Sequence, residues 1–349
     1  MKREKHAERW YMQNGREGEI AVSTRVRLAR NIADYPFHGM MTEAQQRELL
    51  DRAAAALKES GAVEGLRLIE MDKISPTERR ALVERHIISP DLADGSGPRG
   101  VLVSGDESVC VMVGEEDHLR IQVLGAGLCP HELLKRAMEI DDVFDRALKY
   151  AFSEKLGYLT KCPTNLGTGM RVSVMLHLPA LAESGALQNL AQSAGSLGFA
   201  VRGLYGEGSA AVAAMCQISN RTTLGASEEE LAERINDVAS QMIEREKKMR
   251  LSAYERDRVR MEDKIWRAAG TMKYARMVST AEAMGALSEL RIGASLGVID
   301  LPCAVLNDLL WAVQPASVAV RMGDGNSAGS ADRRDVARAE LMRTALEDL

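Results

Sequence analysis

Polar and apolar residues alternate, or apolar residues form short runs, in several segments between residues 19 and 205. Both patterns are typical of β-strands, because successive side chains of a strand point to opposite faces of the sheet. The segments are EIAVSTRVRL (19–28), GVLVSG (100–105), SVCVMV (108–113), LRIQVL (119–124), MRVSVMLHL (170–178) and FAVRGLY (199–205). They predict a sheet in the first two thirds of the chain.

Segments with apolar residues at helical spacing lie between some of these strands, and such segments make up most of the chain from Ser227 onward. Residues 42–60 and 131–157 mix apolar and charged positions in the way typical of amphipathic helices. Ser227 with Glu230 forms a capping box, which predicts a helix start followed by a helix through residue 250. The remaining predictions are helices at 280–296 and 302–314, a flexible linker at 322–330 and a last charged helix from about Asp332.

Length and charge restrict the possible functions. A chain of 349 residues can bury a sizeable core and make one large domain and one smaller one. A net charge of -5 gives no general attraction to nucleic acid or to an anionic membrane. No apolar run approaches the ~18 residues that suggest a membrane span, and the N-terminus has no apolar signal segment. We expect a cytoplasmic protein without a nucleic acid or membrane partner.

The cysteines and histidines do not form a recognisable metal or disulfide pattern. Five cysteines are odd in number and widely spaced, with no C-x-x-C pair, so reduced thiols are expected. Six histidines include no H-E-x-x-H motif. Neither a structural nor a catalytic zinc site is expected.

The segment GEEDHLRIQV (114–123) gathers opposed charges between two apolar runs. Glu116, His118 and Arg120 share strand parity and could face one cavity. The alternative is a charged hairpin tip in solvent, where ion pairs contribute little.

Arginines recur on the polar faces of other predicted strands. Arg25 and Arg27 lie opposite an apolar face in 19–28, Arg171 does the same in 170–178, and Arg202 ends its strand. A single such arginine is usually a solvated edge residue, but several together suggest a clamp for phosphate, since guanidinium offers paired donors. A polyphosphate such as a nucleotide is the expected ligand.

The familiar nucleotide-binding motifs do not explain this clamp. The sequence has no G-x-x-x-x-G-K-[ST], and it lacks the H-R-D and D-F-G motifs. GEGSAA (206–211) fits G-x-G-x-x-A after a strand, but no acid ending a strand follows at the spacing of a dinucleotide fold. A tight turn is the simpler interpretation of this loop.

The segment LTKCPTNLGTGMRVSV (159–174) resembles the C-P-[ST]-N-x-G-T signature of the phosphagen (guanidino) kinases. GEEDHLR is similar to the acidic motif of that family, and STRVRLARN is similar to its first nucleotide-binding strand. With VRGLYGEG and QISNRTTLG the resemblance covers about residues 20–250 in the family's order. With RDVARA at 334–339, the chain as a whole resembles the bacterial branch that phosphorylates arginine in proteins.

The resemblance implies an α+β fold: a glutamine-synthetase-like catalytic domain at 20–250, with an antiparallel sheet flanked by helices, after an N-terminal segment 1–19 and before a helical C-terminal domain at 251–349. It places the catalytic carboxylate at Glu116, a second acid at Glu207 and a reactive thiol at Cys162, although an unpaired cysteine is most often a small buried apolar residue. The implied ATP site comprises Ser23, Thr24, Arg25, Val26, Arg27, His86, Arg120, Arg171, Val172, Ser173, Val174, Met175, Arg202, Gly203, Leu204, Tyr205, Gly206 and Glu207.

Two positions depart from the family pattern. Gly114 stands where an asparagine commonly opens the acidic motif, and Ala210 stands where relatives often have an acid. If Ala210 were the equivalent of the second carboxylate, Glu207 would be misassigned. The alternatives are therefore a catalytically weak adaptor that binds phosphoarginine or nucleotide, and a kinase of small guanidino compounds.

The resemblance also implies cofactors and partners. ATP and Mg²⁺ are expected, the ion without a direct protein ligand, although Glu115 or Asp117 could reach it through water. Two features favour arginine on protein substrates. The first arginine strand begins near Ile20, without the preceding helical domain of the small-substrate enzymes, and Tyr205 stands where those enzymes tend to have a further arginine. The expected partners are an activator protein and Clp-type protease machinery, in a homo-oligomer with a role in the stress response.

The charged tail could be a second site. Arg334, Asp335 and Arg338 lie within one helical turn, where two guanidiniums could bind a phosphate and the carboxylate a guanidinium. The resemblance implies an allosteric phosphoarginine site here. The alternative is a solvated helix with ion pairs four residues apart.

Overall fold

The architecture is seen in a computed structural model that describes residues 8–203, 212–323 and 330–347. The strands of the described chain are β1 (Ala21–Arg30), β2 (Arg67–Glu70), β3 (Gly100–Val103), β4 (Val109–Val113), β5 (Leu119–Ala126), β6 (Phe152–Ser153), β7 (Gly157–Tyr158), β8 (Met170–His177), β9 (Phe199–Gly203) and β10 (Met215–Asn220). The helices are α1 (Glu43–Ser60), α2 (Pro76–Glu84), α3 (Pro90–Asp94), α4 (Pro130–Leu148), α5 (Pro179–Glu183), α6 (Ala186–Ser196), α7 (Glu228–Arg256), α8 (Arg258–Tyr274), α9 (Thr280–Ser295), α10 (Cys303–Ala312), α11 (Pro315–Arg321) and α12 (Ala331–Ala345).

The main sheet has eight strands in the order β2-β3-β4-β5-β1-β8-β10-β9. Each neighbouring pair is antiparallel, so the predicted antiparallel sheet flanked by helices is confirmed. β6 and β7 form a separate hairpin.

The two faces of the sheet have different partners. Val26 and Leu28 of β1 and the even-numbered residues of β8, such as Val172, pack with α1, α4 and α7 in one core cluster. Residues of the other face, such as Met112 and Met175, belong to a second cluster with the C-terminal helices α8, α9, α10 and α12. Since the sheet contributes to both cores, the C-terminal helices pack directly on the face that carries the strand arginines.

Local sequence signals fix most helix starts. The hydroxyl of Ser227 accepts from the backbone N–H of Glu230, whose carboxylate accepts from the N–H of Ser227, so the predicted capping box is confirmed. The same reciprocal pair starts α1 at Thr42 and α9 at Ser279.

Four elements differ from the prediction. The helix expected to reach residue 157 ends at Leu148, because Lys149 has a φ of +50° and the next residues turn back to β1 through a bridge between Ile32 and Tyr150. The helix that begins after Ser227 continues to Arg256 rather than ending at residue 250. The strands β2 and β10 were not predicted: β2 is short and largely exposed, and β10 ends in the polar residues Ser219 and Asn220.

Within the described ranges no single helix is long and apolar enough to cross a membrane; α10 and α11 reach that length only together, as a pair bent by 85°. All five cysteines are free thiols.

Candidate active site

A cavity of about 370 Å³ lies on the sheet face opposite α1, α4 and α7. Its described lining is dominated by arginines, and Glu84 is the one acidic residue in it. The lining residues are Arg25, Arg27, Arg80, Val83, Glu84, His86, Ile88, Ser89, Pro90, Met112, Arg120, Gln122, Arg171, Arg202 and Gln217. Such a cavity suits a polyanion.

The register of the sheet brings the arginines together from four strands. Arg27 of β1 lies directly opposite Arg171 on β8 and Gln122 on β5. Arg202 of β9 lies opposite Gln217 of β10, which places it on the same face two strands away. Alternation along each strand then sends these side chains into the cavity and their neighbours into the core.

Burial and the neighbouring positive charges lower the pKa values of several residues in the cavity. Burial, followed by the charges of Arg120 and Arg171, lowers the pKa of Arg25 to about 10. Burial and the neighbouring guanidiniums also hold the pKa of Arg27 well below its ordinary value. The pKa of His86 falls to about 3, first through burial and then through Arg25 and Arg27, so its imidazole is neutral at physiological pH. An anion in the cavity would relieve this repulsion.

The acidic segment is the turn between β4 and β5 and borders the cavity through Arg120. Gly114 opens the turn with a φ of +79°, a conformation that glycine and asparagine tolerate best, so the glycine preserves the backbone that an asparagine would allow. Glu115 is buried and accepts from Ser89 Oγ and from Arg120 Nη1, both at 2.5 Å. It fixes the guanidinium of Arg120 at the cavity wall.

Glu116 is the accessible carboxylate of this turn. One third of its side chain is exposed, and its Oε2 lies 3.5 Å from Arg120 Nη2. Burial raises the pKa of Glu116, and the neighbouring Asp117 raises it further against the opposing effect of Arg120. A carboxylate with a raised pKa is a stronger proton acceptor than an ordinary one.

Asp117 and His118 support the turn from inside. Asp117 Oδ1 accepts from Asn31 Nδ2 at 2.7 Å and from the N–H of Lys161 at 2.8 Å, while its buried Oδ2 has no hydrogen-bond partner among the described residues. His118 is fully buried, accepts from the N–H of Ile32 and donates to the carbonyl of Pro36. The sequence placed His118 in a common cavity with Glu116 and Arg120, but these bonds direct it into the protein interior.

Cys162 lies beside the acidic turn, because the N–H of the preceding residue, Lys161, donates to the Asp117 carboxylate of that turn. Its carbonyl accepts from Thr160 Oγ1 at 2.8 Å, and its partly exposed thiol lies 3.0 Å from Thr164 Oγ1. The structure therefore places the predicted thiol and the predicted carboxylate on adjoining loops.

Several residues assigned to the ATP site by resemblance do not send their side chains into the cavity. Val26, Val172 and Val174 are buried among the helices on the opposite face, as strand alternation requires. Thr24 donates to the carbonyl of Gly127 and accepts from the N–H of Cys129, at the start of α4. Ser23, Ser173, Met175 and Gly203 also lie outside the cavity lining. Leu204, Tyr205, Gly206, Glu207 and Ala210 fall outside the described residues.

Sequence reasoning missed part of the lining. Gln122 has the strand parity of Arg120 and could have been found from the same alternation. Gln217 belongs to the unpredicted β10. The other missed residues come from α2, the loop after it and the start of α3, which approach the sheet only through tertiary packing: Arg80, Val83, Glu84, Ile88, Ser89 and Pro90. From this segment the resemblance had assigned His86 alone. No local pattern in the sequence signals that approach.

The three tail residues lie on α12, as predicted, but in different surroundings. Arg338 is buried and donates to the carbonyls of Val313 and Val278 and to Asp335 Oδ1. Arg334 instead lines a second cavity of about 360 Å³ between α2, α11 and α12. Asp335 is partly exposed, and Arg338 holds its carboxylate in place.

Two family models match the chain. ATP:guanido phosphotransferase, C-terminal catalytic domain, matches residues 48–249, and Protein-arginine kinase McsB C-terminal domain matches residues 258–349. A protein-arginine kinase from Brevibacillus brevis is 43% identical over 341 residues, covering 97% of this chain and 94% of that one. A protein-arginine kinase from Caldanaerobacter subterraneus subsp. tengcongensis is 42% identical over 330 residues, covering 94% and 97%.

Solved structures with the same fold agree. The duplicated taurocyamine kinase from Schistosoma mansoni with bound transition state analog components has 30% identity and a TM-score of 0.57; the match covers 66% of this chain and 33% of that one. Lombricine kinase has a TM-score of 0.58 at 24% identity, covering 67% and 68%, which is a likeness of fold.

Proposed function

The chain belongs to the ATP:guanido phosphotransferase family and is a phosphotransferase, and from this premise we propose that it transfers the γ-phosphoryl group of ATP to arginine side chains of proteins. The observation that carries the proposal is the convergence of Arg25, Arg27, Arg120, Arg171 and Arg202 in one cavity, with the carboxylate of Glu116 3.5 Å from the guanidinium of Arg120. The relatives named protein-arginine kinase and the match to the McsB C-terminal domain support a protein acceptor.

The chemistry requires a base beside the acceptor. A free guanidinium is protonated, with a pKa above ~12, and is a poor nucleophile. We propose that Glu116 orients one guanidinium nitrogen and accepts its proton as the N–P bond forms and the bond from Pγ to the ADP oxygen breaks. The cavity arginines stabilise the negative charge on the phosphoryl oxygens during this transfer. The adjoining Cys162 thiol, and Glu207 as a second acid, complete the proposed acceptor side.

ATP is the proposed phosphoryl donor, and Mg²⁺ the ion that accompanies it. No group of three potential ligands is gathered for a metal in the described parts of the chain. The buried Oδ2 of Asp117, which no described residue binds, fits a donor such as metal-bound water, whereas Glu115 already accepts hydrogen bonds from Ser89 and Arg120. When bound to the phosphates of ATP, Mg²⁺ neutralises part of their charge.

The acceptor class is tested by competition between protein and free arginine. We expect label from [γ-³²P]ATP to enter casein to the same extent with or without millimolar free arginine, because the acceptor is a residue of a polypeptide. Free lysine at the same concentration is the matched control. Preferential phosphorylation of free arginine would instead make the protein a kinase of small guanidino compounds.

We further propose that residues 251–349 form a regulatory domain to the 20–250 catalytic domain, and that it binds phosphoarginine through Arg334 and Asp335. The Asp335 carboxylate, oriented by the buried Arg338, would hold the guanidinium moiety, and Arg334 the phosphate. On the family resemblance alone we also propose a homo-oligomer, an activator protein, Clp-type protease machinery, a role in the stress response and a cytoplasmic location.

The phosphoarginine site is tested with Arg334→Ala and, as a control on the same helix, Arg333→Ala. Calorimetry with free phosphoarginine is expected to show a loss of about ten-fold or more for Arg334→Ala, since a hydrogen bond to a charged group contributes about 1.5–3 kcal/mol. Arg333→Ala is expected to bind normally, because its exposed side chain does not line the cavity. Equal affinity of both variants for phosphoarginine would instead support the alternative interpretation of the tail as a helix with ion pairs and no ligand site.

A further inference from the structure

The active-site cavity and the α11/α12 cavity share a wall. Arg80 and Glu84, on one face of α2, line both cavities. The first cavity is otherwise built largely by the sheet, and the second is closed by Pro315, Ala316, Ala319 and Arg334 of the C-terminal helices. α2 is therefore one element through which the C-terminal helices touch the active site.

The last residue of α2 is bound to α11 by three hydrogen bonds. Glu84 Oε1 accepts from the N–H of Ala316 at 2.8 Å, and Oε2 accepts from the N–H of Ser317 at 2.8 Å and from its hydroxyl at 2.9 Å. A carboxylate at a helix N-terminus is further favoured by the helix dipole. Both oxygens of Glu84 are thus used on the C-terminal helices.

Two residues after Glu84, the chain takes up an unusual conformation. His86 has a φ of +59°, a backbone conformation that residues other than glycine rarely adopt unless surrounding contacts stabilise it. Its carbonyl accepts from Gln122 Nε2 at 2.7 Å, and its ring lies 4.9 Å from that of the buried Trp311 on α10. His86 is held between the sheet and the C-terminal helices.

We propose that Glu84 and Trp311 are positioning residues that hold His86 and the α2 wall in the shape that binds ATP. This inference rests on the proposed function, because it takes ATP as the ligand of the cavity. ATP affinity then depends on how α10 and α11 pack, and a ligand that moves α11 changes ATP affinity. By linkage, ATP changes the affinity for that ligand by the same factor.

The test compares Glu84→Gln with Glu78→Gln. Both replace a carboxylate of α2 by an amide, but Glu78 only caps its own helix at Ser75. Glu84→Gln is expected to weaken ATP binding, measured by calorimetry and as KM for ATP, by about five-fold or more, the lower range of coupling between sites. The kcat of Glu84→Gln at saturating ATP is expected to stay at the wild-type value. Glu78→Gln is expected to match the wild type in both KM for ATP and kcat. Unchanged ATP affinity in Glu84→Gln, or a lowered kcat with unchanged KM, would overturn the inference.

A spectroscopic measurement decides the matter even if Glu84→Gln does not fold. The chain has three tryptophans, Trp10, Trp266 and Trp311. ATP binding beside His86 is expected to change the tryptophan emission of the wild type, and Trp311→Phe is expected to lose that change and to bind ATP more weakly, as a positioning residue requires. The substitution leaves no described partner unpaired, since the indole N–H of Trp311 has no hydrogen bond to any described residue. An emission change that persists in Trp311→Phe, or none in the wild type, would contradict the inference; a wild type that binds no ATP would refute the proposed function first.

Discussion

Replacing Glu116 by glutamine is expected to lower phosphoryl transfer by about 10²- to 10⁴-fold, the usual contribution of a positioned general base. Glutamine keeps the size of the side chain but cannot accept the guanidinium proton. ATP affinity is expected to change little, because Glu116 lies outside the described cavity lining and the cavity guanidiniums remain. Turnover is measured with labelled ATP and casein, and ATP affinity by calorimetry.

The matched control is Glu154→Gln, an exposed carboxylate on the β6–β7 hairpin that should behave as wild type. The pH profile adds a second readout. Since the base acts when ionised and its pKa is raised, the wild-type rate should climb with pH through a value above about 4.3, the ordinary glutamate pKa. Near-normal turnover of Glu116→Gln would contradict the assignment.

Replacing Arg27 by methionine is expected to have opposite effects on stability and on ligand binding. Burial and the charges of Arg25, Arg120 and Arg171 hold the pKa of Arg27 well below its ordinary value, so its charged form destabilises the empty protein. Its Nε is buried and has no hydrogen-bond partner within the described ranges. A neutral side chain of similar length removes that cost, so the Tm without ATP should rise.

ATP binding of the same variant is expected to weaken by about ten- to a hundred-fold, because a hydrogen bond to a charged group contributes about 1.5–3 kcal/mol. The increase in Tm caused by saturating ATP should shrink accordingly. Arg67→Met, which removes an exposed arginine from the edge strand β2, is the control for both measurements. A lower Tm together with unchanged ATP affinity would show that Arg27 has a structural role and is not part of a clamp.

Strand alternation carried most of what could be predicted about the site. Arg25, Arg27 and Arg171 were assigned to polar faces from parity alone, and the register confirms that these faces meet. The same alternation argued against Val26 and Val172 as side chains of the site, although the resemblance included them. Local patterns were reliable wherever the neighbouring residues in the chain decide the geometry.

Long-range packing accounts for what the sequence could not predict. His118 shares the parity of Glu116, yet Pro36 and Ile32, more than eighty residues away in the chain, take up both of its ring nitrogens. Arg338 has the spacing of a ligand-binding residue, but the carbonyls of Val278 and Val313 occupy it. The contact of Glu84 with α11 spans more than 230 residues, and no periodicity in the sequence could show it.

The most direct test of a protein-arginine kinase is to locate the phosphoryl group on the product. Purified protein is incubated with ATP, Mg²⁺ and casein, and the peptides are analysed by mass spectrometry under conditions that preserve acid-labile P–N bonds, with Glu116→Gln as the matched enzyme. We expect phosphoarginine on casein with the wild type and almost none with the variant. Phosphate on serine, threonine or tyrosine, or ATP binding without any transfer, would contradict it.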